Sequence, residues 1–561
     1  MRRALTIVFL AAAVLSAAVA FFVVSTAPPA ALVLDGPIPD TVAFGAYHVH
    51  SSRSDGTGTV EEIARAAAGA GLRFVVFTDH GDGTAPPRPP AYIDGVLCLD
   101  AVEINTQNGH LVALSLPGAA PYPLAGDARD VVADLRRLGA TAIAAHPDSP
   151  ASSLRWRGAA RYDGLEWINA DAEWRDNSAR ELLAATARSL VHAPESIATL
   201  FERPDFTLQR WDAALRTRRV IGLAALDAHA RLGADDEELH AVAIAWPSYA
   251  TLFRTLAQAV VLDAPLSGRA GDDARAVLGA LTGGRAFSVI TALAAPAVLD
   301  FALEQGSARA GMGQDLAPWD PAAPTRLVAA VPQAPGARLA VTLGGRIVAE
   351  GRGGLDLVRP FPPGAYRVEA FLPGSTLPWI VSNPIYLGMP DDEPDDDDTV
   401  DAAPGAGDLV LAPDGEWTLE RDDRSTAAMT PEPPVIRFDY ALAGGRPAGQ
   451  YAALVTHPPA GAGLDRVAFT ARASRPMRLS VQVRLPGADA ERWRRSIYLD
   501  ETARDVVVRL ADMERASGLA SSLRPIVARV QSLLFVVDTL NTAPGTAGTI
   551  WLRDVRLGVP Q

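Results

Sequence analysis

Short apolar segments alternate with helical segments between residues 44 and 301. This alternation constrains the fold more than any other feature, because a strand, a helix and a second strand form the repeating unit of a mostly parallel sheet. Such a sheet is either open or closed into a barrel, and the alternation is compatible with both. The predicted strands cover residues 44–49, 74–77, 96–104, 111–116, 141–145, 164–168 and 220–226.

Helices are predicted between these strands. One begins after Thr59, because Thr59 and Glu62 have the spacing of a capping box ahead of the apolar residues that start at Ile63. A second is predicted over 127–138, and the stretch 176–216, rich in Ala, Leu and Glu, predicts long helices. The predicted α/β domain takes in residues 40–302.

The pattern changes after about residue 302, where Gly and Pro become frequent and strands follow one another. Alternating segments predict a small β-sandwich within 303–388, and residues 408–561 predict a second β-rich domain of jelly-roll-like character. The stretch 389–407 between them holds seven acidic side chains within 391–398. We interpret it as a solvated linker, since the spacing of the acids lacks the pattern of an EF-hand.

The chain begins with a hydrophobic segment. Two arginines precede residues 4–24, in which Thr6 and Ser16 are the polar side chains. This length suits a membrane-spanning helix, and the arginines would hold its start in the cytoplasm. Ala18-Val19-Ala20 also fits a signal-peptidase site. Residues 1–27 are therefore a signal peptide or an uncleaved anchor in the inner membrane, and both predict an exported protein, periplasmic or otherwise extracytoplasmic.

The composition narrows the chemistry. All 51 basic side chains are Arg, and the absence of Lys excludes Schiff-base chemistry and P-loop phosphate binding. A single Cys, Cys98, excludes intramolecular disulfides and Cys-rich zinc modules. The net charge of −14 argues against nucleic acid as a partner, since binding would need a basic face. His, Asp and Glu are left to carry the chemistry.

Histidines and carboxylates follow the predicted strands where those strands end. His48 and His50 lie two residues apart, so both face one side of an extended strand, and Asp227 and His229 repeat this spacing after the last strand. In α/β barrels this end of the strands holds the active site. Imidazoles and carboxylates without thiolates favour Zn²⁺, Mn²⁺ or Fe, so a polynuclear metal site is predicted. The other candidate ligands are Asp55, His80, Glu103, His110 and His146.

These motifs together resemble those of the polymerase and histidinol phosphatase (PHP) family of metal-dependent hydrolases. The resemblance covers about residues 44–302. It implies a distorted (β/α)7 barrel that holds two to three divalent metal ions as cofactors. The matching segments are His48-Val49-His50, Ser54-Asp55-Gly56, Thr78-Asp79-His80, Glu103, His110-Leu111-Val112, His146-Pro147 and Asp227-Ala228-His229.

The resemblance also implies how the ligands are shared. His48, His50, Glu103 and Asp227 would hold one metal ion, and Glu103 would bridge to a second ion held with His110 and His146. His80 and His229, together with Asp55, would surround a third metal ion or a substrate phosphate. Many family members have a His directly after the position of Asp55, whereas this chain has Gly56, so the third site lacks that ligand.

Within the family, the chain looks most like the exported branch that includes bacterial carbamate hydrolases of the CehA/McbA type. Three stretches carry this narrower likeness, and they are less specific than the metal motifs. They are Asp163-Gly164-Leu165-Glu166 with Asn169, Trp246-Pro247-Ser248-Tyr249, and the segment from Trp379 to Leu387.

A mechanism follows from these expectations. Two metal ions would lower the pKa of a bridging water from 15.7 toward roughly 7, and the resulting hydroxide would attack phosphorus or a carbonyl carbon. We expect Asp227 to accept the proton of the water, and His229 or His80 to protonate the leaving group. Arg155, Arg157 and Arg175 are candidates to bind an anionic substrate, with Asn169 as a further substrate contact, although the arginines would equally suit an exposed surface.

Three functions stay open at this point. The first is a phosphoesterase that acts on a small anionic phosphomonoester or phosphodiester. The second is a carbamate, ester or amide hydrolase with the same metal site. The third is a non-catalytic binding protein whose C-terminal β domain holds a glycan or cell-surface partner.

Overall fold

A computed structural model of the chain describes residues 2–158, 160–230, 246–390, 408–446, 449–459, 464–486, 491–517, 525 and 529–558. Residues 391–407 of the predicted acidic linker lie outside this range, as does His240. The chain forms two compact units. The first comprises Met1–Gly81, Pro87–Pro117 and Leu135–Glu393, and the second comprises Asp82–Pro86, Gly118–Asp134 and Pro394–Gln561.

Among the described residues, the α-helices all end by Thr282. The predicted hydrophobic segment forms the helix α1, and among the described residues no helix is both long enough and apolar enough to cross a membrane. The helices are α1 (Arg2–Thr26), α2 (Val60–Gly69), α3 (Ala128–Arg137), α4 (Ala170–Asp176), α5 (Ala179–Arg188), α6 (Ala193–Ala198), α7 (Asp205–Ala214), α8 (Tyr249–Leu252) and α9 (Ala270–Thr282).

Local sequence signals decide where these helices begin and end. Thr59 caps α2, and the reciprocal contact from Glu62 confirms the predicted capping box. The prediction of long helices over 176–216 is wrong, because three short helices, α5, α6 and α7, occupy this stretch. Ser178 starts a new capping box, while Pro194 and Pro204 stand at helix starts, where a proline can begin a helix but cannot continue one.

In the part of the chain that the structure describes, twelve strands precede residue 290. They confirm the seven strands predicted from the sequence, with the segment 96–104 divided into two. Their order in space mixes parallel and antiparallel neighbours, whereas a mostly parallel sheet was predicted. The strands are β1 (Leu32–Val33), β2 (Val42–Val49), β3 (Phe74–Phe77), β4 (Ala91–Ile93), β5 (Val96–Asp100), β6 (Val102–Thr106), β7 (Gly109–Leu114), β8 (Thr141–Ala144), β9 (Gly164–Asn169), β10 (Ile221–Ala225), β11 (Ala257–Val261) and β12 (Ala286–Val289).

Two sheets of the first unit meet around the ends of β2 and β3. One has the order β10-β9-β8-β7-β6, and the other includes β12-β11-β2-β3-β5-β4. The backbone N–H of Leu226, just after β10, donates to the Tyr47 carbonyl at 3.0 Å, and that of Gly81, just after β3, donates to the Glu103 carbonyl at 3.0 Å. Backbone hydrogen bonds therefore join both edges of the first sheet to the second.

A buried apolar core lies against one face of these strands. It takes alternate residues from neighbouring strands, as the two-residue period of a strand requires. In β3 the alternate residues are Phe74 and Val76, and β7 and β10 contribute in the same way. This core fixes the ends of the strands, from which the polar residues project.

The first unit continues with strands that confirm the β-rich character predicted after residue 302. β21 pairs with β12, so the predicted sandwich strands extend one of the sheets described above. A separate four-stranded sheet has the order β15-β14-β16-β19. The strands are β13 (Ala294–Ala295), β14 (Asp300–Gln305), β15 (Ala308–Gly311), β16 (Thr325–Ala330), β17 (Arg338–Leu343), β18 (Arg346–Arg352), β19 (Gly354–Arg359), β20 (Gly364–Phe371), β21 (Ile380–Ser382) and β22 (Ile385–Leu387).

The second unit contains two antiparallel six-stranded sheets around one core, which includes Phe438, Phe469 and Phe535. A short 3₁₀-helix, Leu510–Asp512, comes directly after the strand that ends at Arg509. The strands are β23 (Leu409–Val410), β24 (Trp417–Arg421), β25 (Thr426–Glu432), β26 (Val435–Ala441), β27 (Tyr451–Thr456), β28 (Arg466–Ala473), β29 (Met477–Arg484), β30 (Arg492–Leu499), β31 (Arg504–Arg509), β32 (Glu514–Ser517), β33 (Ser532–Asp538) and β34 (Ala547–Gly558).

The segment 118–134 belongs to this second unit through buried ion pairs. The Arg478 guanidinium donates to the Asp134 carboxylate at 2.7 and 2.9 Å and to the Asp130 carbonyl at 2.8 Å, and Arg495 pairs with the Asp130 carboxylate. All four side chains are buried. The amide of Asn541 adds two hydrogen bonds to backbone carbonyls of the same segment.

Candidate metal centre

Side chains from the ends of several strands of the first unit meet at one place. Six of the nine histidines of the chain are here, together with three carboxylates. Every ligand predicted from the sequence takes part, namely His48, His50, Asp55, His80, Glu103, His110, His146, Asp227 and His229. The roles of these residues remain predictions, but three groups among them could hold a metal ion. The groups are His50, Asp55, His80 and His229; His48, His50 and Glu103; and His80, Glu103 and His110.

The first cluster joins His48, His50, Glu103 and Asp227. The Nε2 atoms of His48 and His50 are 3.1 Å apart, and each lies 3.1–3.3 Å from Glu103 Oε2 and 3.3 Å from Asp227 Oδ1. Four ligands at about 2.0 Å from a tetrahedral Zn²⁺ ion would be separated by roughly 3.3 Å from one another. The separations among His48, His50 and Glu103 are close to this value, so these three residues could share one metal ion, and Asp227 Oδ1 lies within the same distance of both imidazoles.

Glu103 links this cluster to a second one. Its Oε2 faces the first cluster, whereas its Oε1 lies 2.8 Å from His110 Nδ1 and 2.9 Å from His146 Nε2. The strand register explains this, because β6 and β7 are paired so that Glu103 is opposite Val112 while His110 lies further along β7. A carboxylate with each oxygen in a different cluster is suited to bridge two metal ions.

A third cluster lies on the other side of His50. Asp55 Oδ1 is 3.3 Å from His50 Nδ1, and Asp55 Oδ2 is 3.1 Å from His229 Nε2 and 3.9 Å from His80 Nε2. The rings of His50 and His229 are stacked, with centroids 4.2 Å apart. Asp55 and His80 are about one-third exposed, so this is the most open of the three clusters.

Backbone strain places several of these ligands. His48, His146 and Asp227 have φ angles of 63°, 29° and 48°, in the left-handed region that ordinary residues rarely adopt. His48 also forms a bulge, because its neighbours Tyr47 and Val49 pair with successive residues of β3. The regular strand alternation used in the sequence prediction is therefore broken here, and the bulge brings the two imidazoles together instead. Each such residue costs about 1–3 kcal/mol, and this strain concentrates at functional sites.

Two further residues hold the ligands from outside, and the sequence prediction did not include either of them in the site. The Glu166 carboxylate lies 2.5 Å from His48 Nδ1 and accepts from the backbone N–H of His146 at 2.7 Å. The Tyr249 hydroxyl donates to the His50 carbonyl at 2.8 Å. A carboxylate on the second ring nitrogen of a metal-ligating histidine fixes its tautomer and orientation. The position of Glu166 near the end of its strand was the available sequence signal.

Asn169 joins the outer contacts to the ligands. Its amide donates to Glu166 at 2.8 Å and to Asp227 Oδ2 at 3.3 Å, while its side-chain oxygen caps α4. The contact with a predicted metal ligand gives Asn169 a positioning role besides the predicted contact with substrate. The side-chain NH₂ group of Asn169 thus donates to two carboxylates, those of Glu166 and Asp227.

Burial and opposite charges act together on the ionisable groups. Burial would raise the pKa of Glu103, but the charge of His48 and hydrogen bonds from His110 and His146 hold that pKa well below its usual value. Burial lowers the pKa of His146, yet its contact with Glu103 outweighs this and raises the pKa to about 8. Buried carboxylates that raise the pKa of a neighbouring histidine stabilise positive charge, and the same carboxylates would stabilise a bound metal ion.

Protons should therefore compete with metal ions for this centre. An imidazole protonated on both nitrogens cannot ligate a metal ion, so metal affinity should fall as the pH falls below about 8, the pKa of His146. We expect a change of about tenfold per pH unit for each imidazole proton displaced. Calorimetric Zn²⁺ titrations from pH 6 to 9, in buffers of different protonation enthalpy, would measure this loss and the released protons. A pH-independent affinity would contradict the assignment of histidine ligands.

The pKa of His80 is shifted in the opposite direction. Burial lowers it, and although Glu103 opposes that effect, the charge of His50 lowers the pKa further. A histidine that is neutral at pH 7 is better suited to bind a metal ion than to donate a proton. Of the two proton donors that the sequence suggests, this favours His229.

A cavity of about 300 Å³ adjoins the predicted ligand His146 and the outer residue Glu166. Asn169 and Arg155 line it, as two of the four predicted substrate contacts, but Arg157 and Arg175 do not. Arg175 instead forms an ion pair with Asp171. Carboxylates outnumber guanidiniums in the lining, which includes Asp148, Arg155, Glu173, Asp176, Glu202, Arg203 and Asp205.

Comparisons with known proteins leave the family open. No protein-family profile and no curated relative matches the sequence. A family 11 carbohydrate-binding module of a Clostridium thermocellum cellulosomal cellulase is 14% identical, with a TM-score of 0.23 over 28% of this chain and 97% of the module. A carbohydrate-binding module of the β-sandwich superfamily is 11% identical, with a TM-score of 0.20 over 47% of this chain and 97% of that one. An agarase is 11% identical, with a TM-score of 0.19 over 26% and 22%. Scores this low establish neither a common fold nor a common function.

Proposed function

We propose that the first unit is a polynuclear metal-dependent hydrolase of the PHP type, and that it acts as a phosphoesterase. The observation that carries this proposal is the sharing of Glu103 between two ligand clusters, in one of which the ligand atoms of His48, His50 and Glu103 lie 3.1–3.3 Å apart. The hydrogen bonds that join both sheet edges support the distorted (β/α)7 barrel that this assignment requires. On this proposal, the mixed strand directions would be part of the distortion.

The donor atoms fit Zn²⁺, Mn²⁺ or Fe, since all are imidazole nitrogens or carboxylate oxygens. The first ion would be held by His48, His50, Glu103 and Asp227, and the second by Glu103, His110 and His146. Asp55, His80 and His229 would hold a third ion with His50. When bound, such ions lower the pKa of a water molecule and neutralise developing negative charge.

The protein groups then complete the reaction. Asp227, whose pKa is held well below its usual value by His48 and His50 against the effect of burial, stays ionised and can accept the proton of the attacking water. We propose that His229, on the open side of the centre, protonates the leaving group through Nε2 when the third cluster holds no ion, since its Nδ1 contacts the Asp227 carbonyl. Glu166 and Asn169 keep the ligands His48 and Asp227 in position throughout.

A carbamate, ester or amide hydrolase is the second candidate, and the adjoining cavity favours it. The lining carries more carboxylates than guanidiniums, and Arg203 is paired with Glu369 and Asp205. Such a lining would repel the anionic remainder of a phosphoester but would accept an uncharged substrate. The two candidates share the metal chemistry and differ in the substrate.

Metal analysis and a substrate panel test this proposal on the full-length chain. We expect at least two equivalents of metal by mass spectrometry of the purified protein, and hydrolysis of aryl phosphate mono- or diesters. Turnover of an aryl carbamate without turnover of phosphate esters would promote the second candidate. Fewer than two equivalents with no turnover would favour a non-catalytic binding protein, for which a glycan array would identify partners of the C-terminal β-rich region.

Replacing Asp227 with Asn tests the role of the proton acceptor. The amide keeps an oxygen ligand but cannot accept the proton, so kcat should fall by about 10²-fold. The matched control is His192→Asn, which changes a histidine that pairs with Glu195 outside the centre. A fully active Asp227→Asn variant would refute this role.

The N-terminal segment supports the further proposal that the protein is exported, and either cleaved or anchored by residues 4–24. Fractionation of expressing cells, followed by N-terminal sequencing of the mature protein, tests both points. A mature N-terminus after Ala20 would identify a cleaved signal peptide, whereas an intact Met1 in the membrane fraction would identify an anchor.

A further inference from the structure

The loop that carries Asp55 is held by a single side chain outside the ligand set. The Asp79 carboxylate accepts from the backbone N–H of Ser51 at 2.8 Å, from the Ser51 hydroxyl at 2.9 Å, and from the Ser54 hydroxyl at 2.8 Å. These three donors all belong to the loop between His50 and Asp55. Asp79 therefore fixes the path of the loop from the end of β2 to the third cluster.

An ion-pair network holds Asp79 itself. The Arg53 guanidinium lies 2.7 Å from Asp79 Oδ2 and donates to Asp100 at 2.8 and 3.0 Å. It also lies over the ring of Phe77, with Cζ 5.2 Å from the centroid. Because two carboxylates and an aromatic face fix the guanidinium, Asp79 has one well-defined position.

Asp79 also connects three segments that carry ligands. Its side chain holds the loop of Asp55, its backbone carbonyl accepts from the N–H of Glu103 at 3.3 Å, and the next residue is His80. Ser54 extends the connection, because its hydroxyl lies 3.3 Å from Asp55 Oδ1 and 3.4 Å from His50 Nδ1. The residues of the third cluster are thus arranged around Asp79, whereas Asp79 does not itself belong to the clusters.

We propose that Asp79 is a positioning residue for the third cluster, and that occupancy of that cluster by a metal ion depends on Asp79 while occupancy of the first cluster does not. This inference rests on the metal centre proposed above. His48 in the first cluster is held instead by Glu166, and Asp227 by Asn169. Replacing the Asp79 side chain therefore leaves in place the side-chain contacts of His48 and Asp227 and the backbone contact to Glu103.

The test is the variant Asp79→Asn in the full-length chain. The amide keeps the shape of the side chain but loses the charge that pairs with Arg53, and its NH₂ group would face the donors of the loop. Loss of such an outer contact lowers metal affinity by about 10–100-fold. We expect Mn²⁺ titration to show one equivalent weakened by that factor, with the tight equivalents of the wild type retained.

Asp273→Asn provides a matched control. Asp273 is a buried residue of α9 that holds another loop in the same way, since it accepts from the backbone N–H and hydroxyl of Ser267 and from the N–H of Gly268. This substitution should lower the unfolding temperature to a similar extent as Asp79→Asn. It should leave the Mn²⁺ titration curve of the wild type unchanged.

Excess Mn²⁺ tests whether the weakened metal site is still present in the variant. Millimolar Mn²⁺ should refill the weakened site in Asp79→Asn, so that the bound metal returns to the wild-type value. An Asp79→Asn titration that superimposes on the wild type, or one in which all equivalents weaken together, would overturn the positioning role. A wild-type chain that binds no metal would overturn the proposed function itself, and this inference with it.

Discussion

Replacing Glu103 with Gln should lower hydrolytic activity by at least about 10⁴-fold, because the metal-activated nucleophile and the charge stabilisation depend on the same ligands. Glu103 supplies one oxygen to the first cluster and the other to the second. A neutral amide offers one oxygen, so it cannot bridge two metal ions. The measurement is kcat/KM together with metal content, and we expect at least one equivalent to be lost.

Glu166→Gln is the matched comparison for this prediction. Both residues are buried glutamates that contact His48, but Glu166 lies on the ring nitrogen away from the first cluster. Outer contacts of this kind contribute about 10–100-fold to metal affinity or activity. The two variants should therefore differ by a factor of 100 or more. Equal losses in both would show that Glu103 does not bridge.

Replacing Arg478 with Met should destabilise the second unit by about 3–5 kcal/mol, because it removes the buried guanidinium that forms two hydrogen bonds with the buried Asp134 carboxylate. Chemical denaturation of the full-length chain, followed by the fluorescence of its tryptophans, would measure the loss. The effect should arise from the uncompensated charges and not from lost volume, since Met is of similar length.

Arg484→Met on the same strand is the control. Arg484 forms an ion pair with Glu420 in which both side chains are partly exposed, and such a pair contributes about 0–1 kcal/mol. A double variant that also replaces Asp134 with Leu should recover part of the stability lost in Arg478→Met. If the two Arg→Met variants lose equal stability, burial of the ion pair is not the cause.

The sequence predicted the strands around the centre because their apolar cores are short and clearly bounded. The strand over Phe74–Phe77 has the predicted bounds, and β2 and β8 differ by one or two residues at an end. Strand direction was harder to predict. Glu103 and His110 lie on the antiparallel hairpin of β6 and β7, whose strands have the same kind of apolar composition as the parallel strands. The helices after Asp176 are shorter than predicted, because Pro194 and Pro204 divide a stretch whose Ala and Leu content favours helix.

The ligands were predictable because their chemistry is unusual at strand ends. His48 and His50 meet as the sequence suggested, but through a bulge with a left-handed residue, which no periodicity reveals. Glu166 belongs to one of the stretches that carry the narrower family likeness, but no role in the site was predicted for it, since its function depends on a contact with His48 across 118 positions of sequence. Contacts of this length are set by tertiary structure, and one sequence alone does not show them.

Residues 118–134 belong to the second unit but are synthesised long before the rest of it, including Arg478. Asp134 and Arg478 are 344 positions apart. At a synthesis rate of about 5–20 residues per second, Asp134 waits roughly 17–70 s for its partner to be made. During this time the nascent chain must keep the segment unburied and available. A chaperone that binds the emerging chain near this segment, or export before folding, would meet that need.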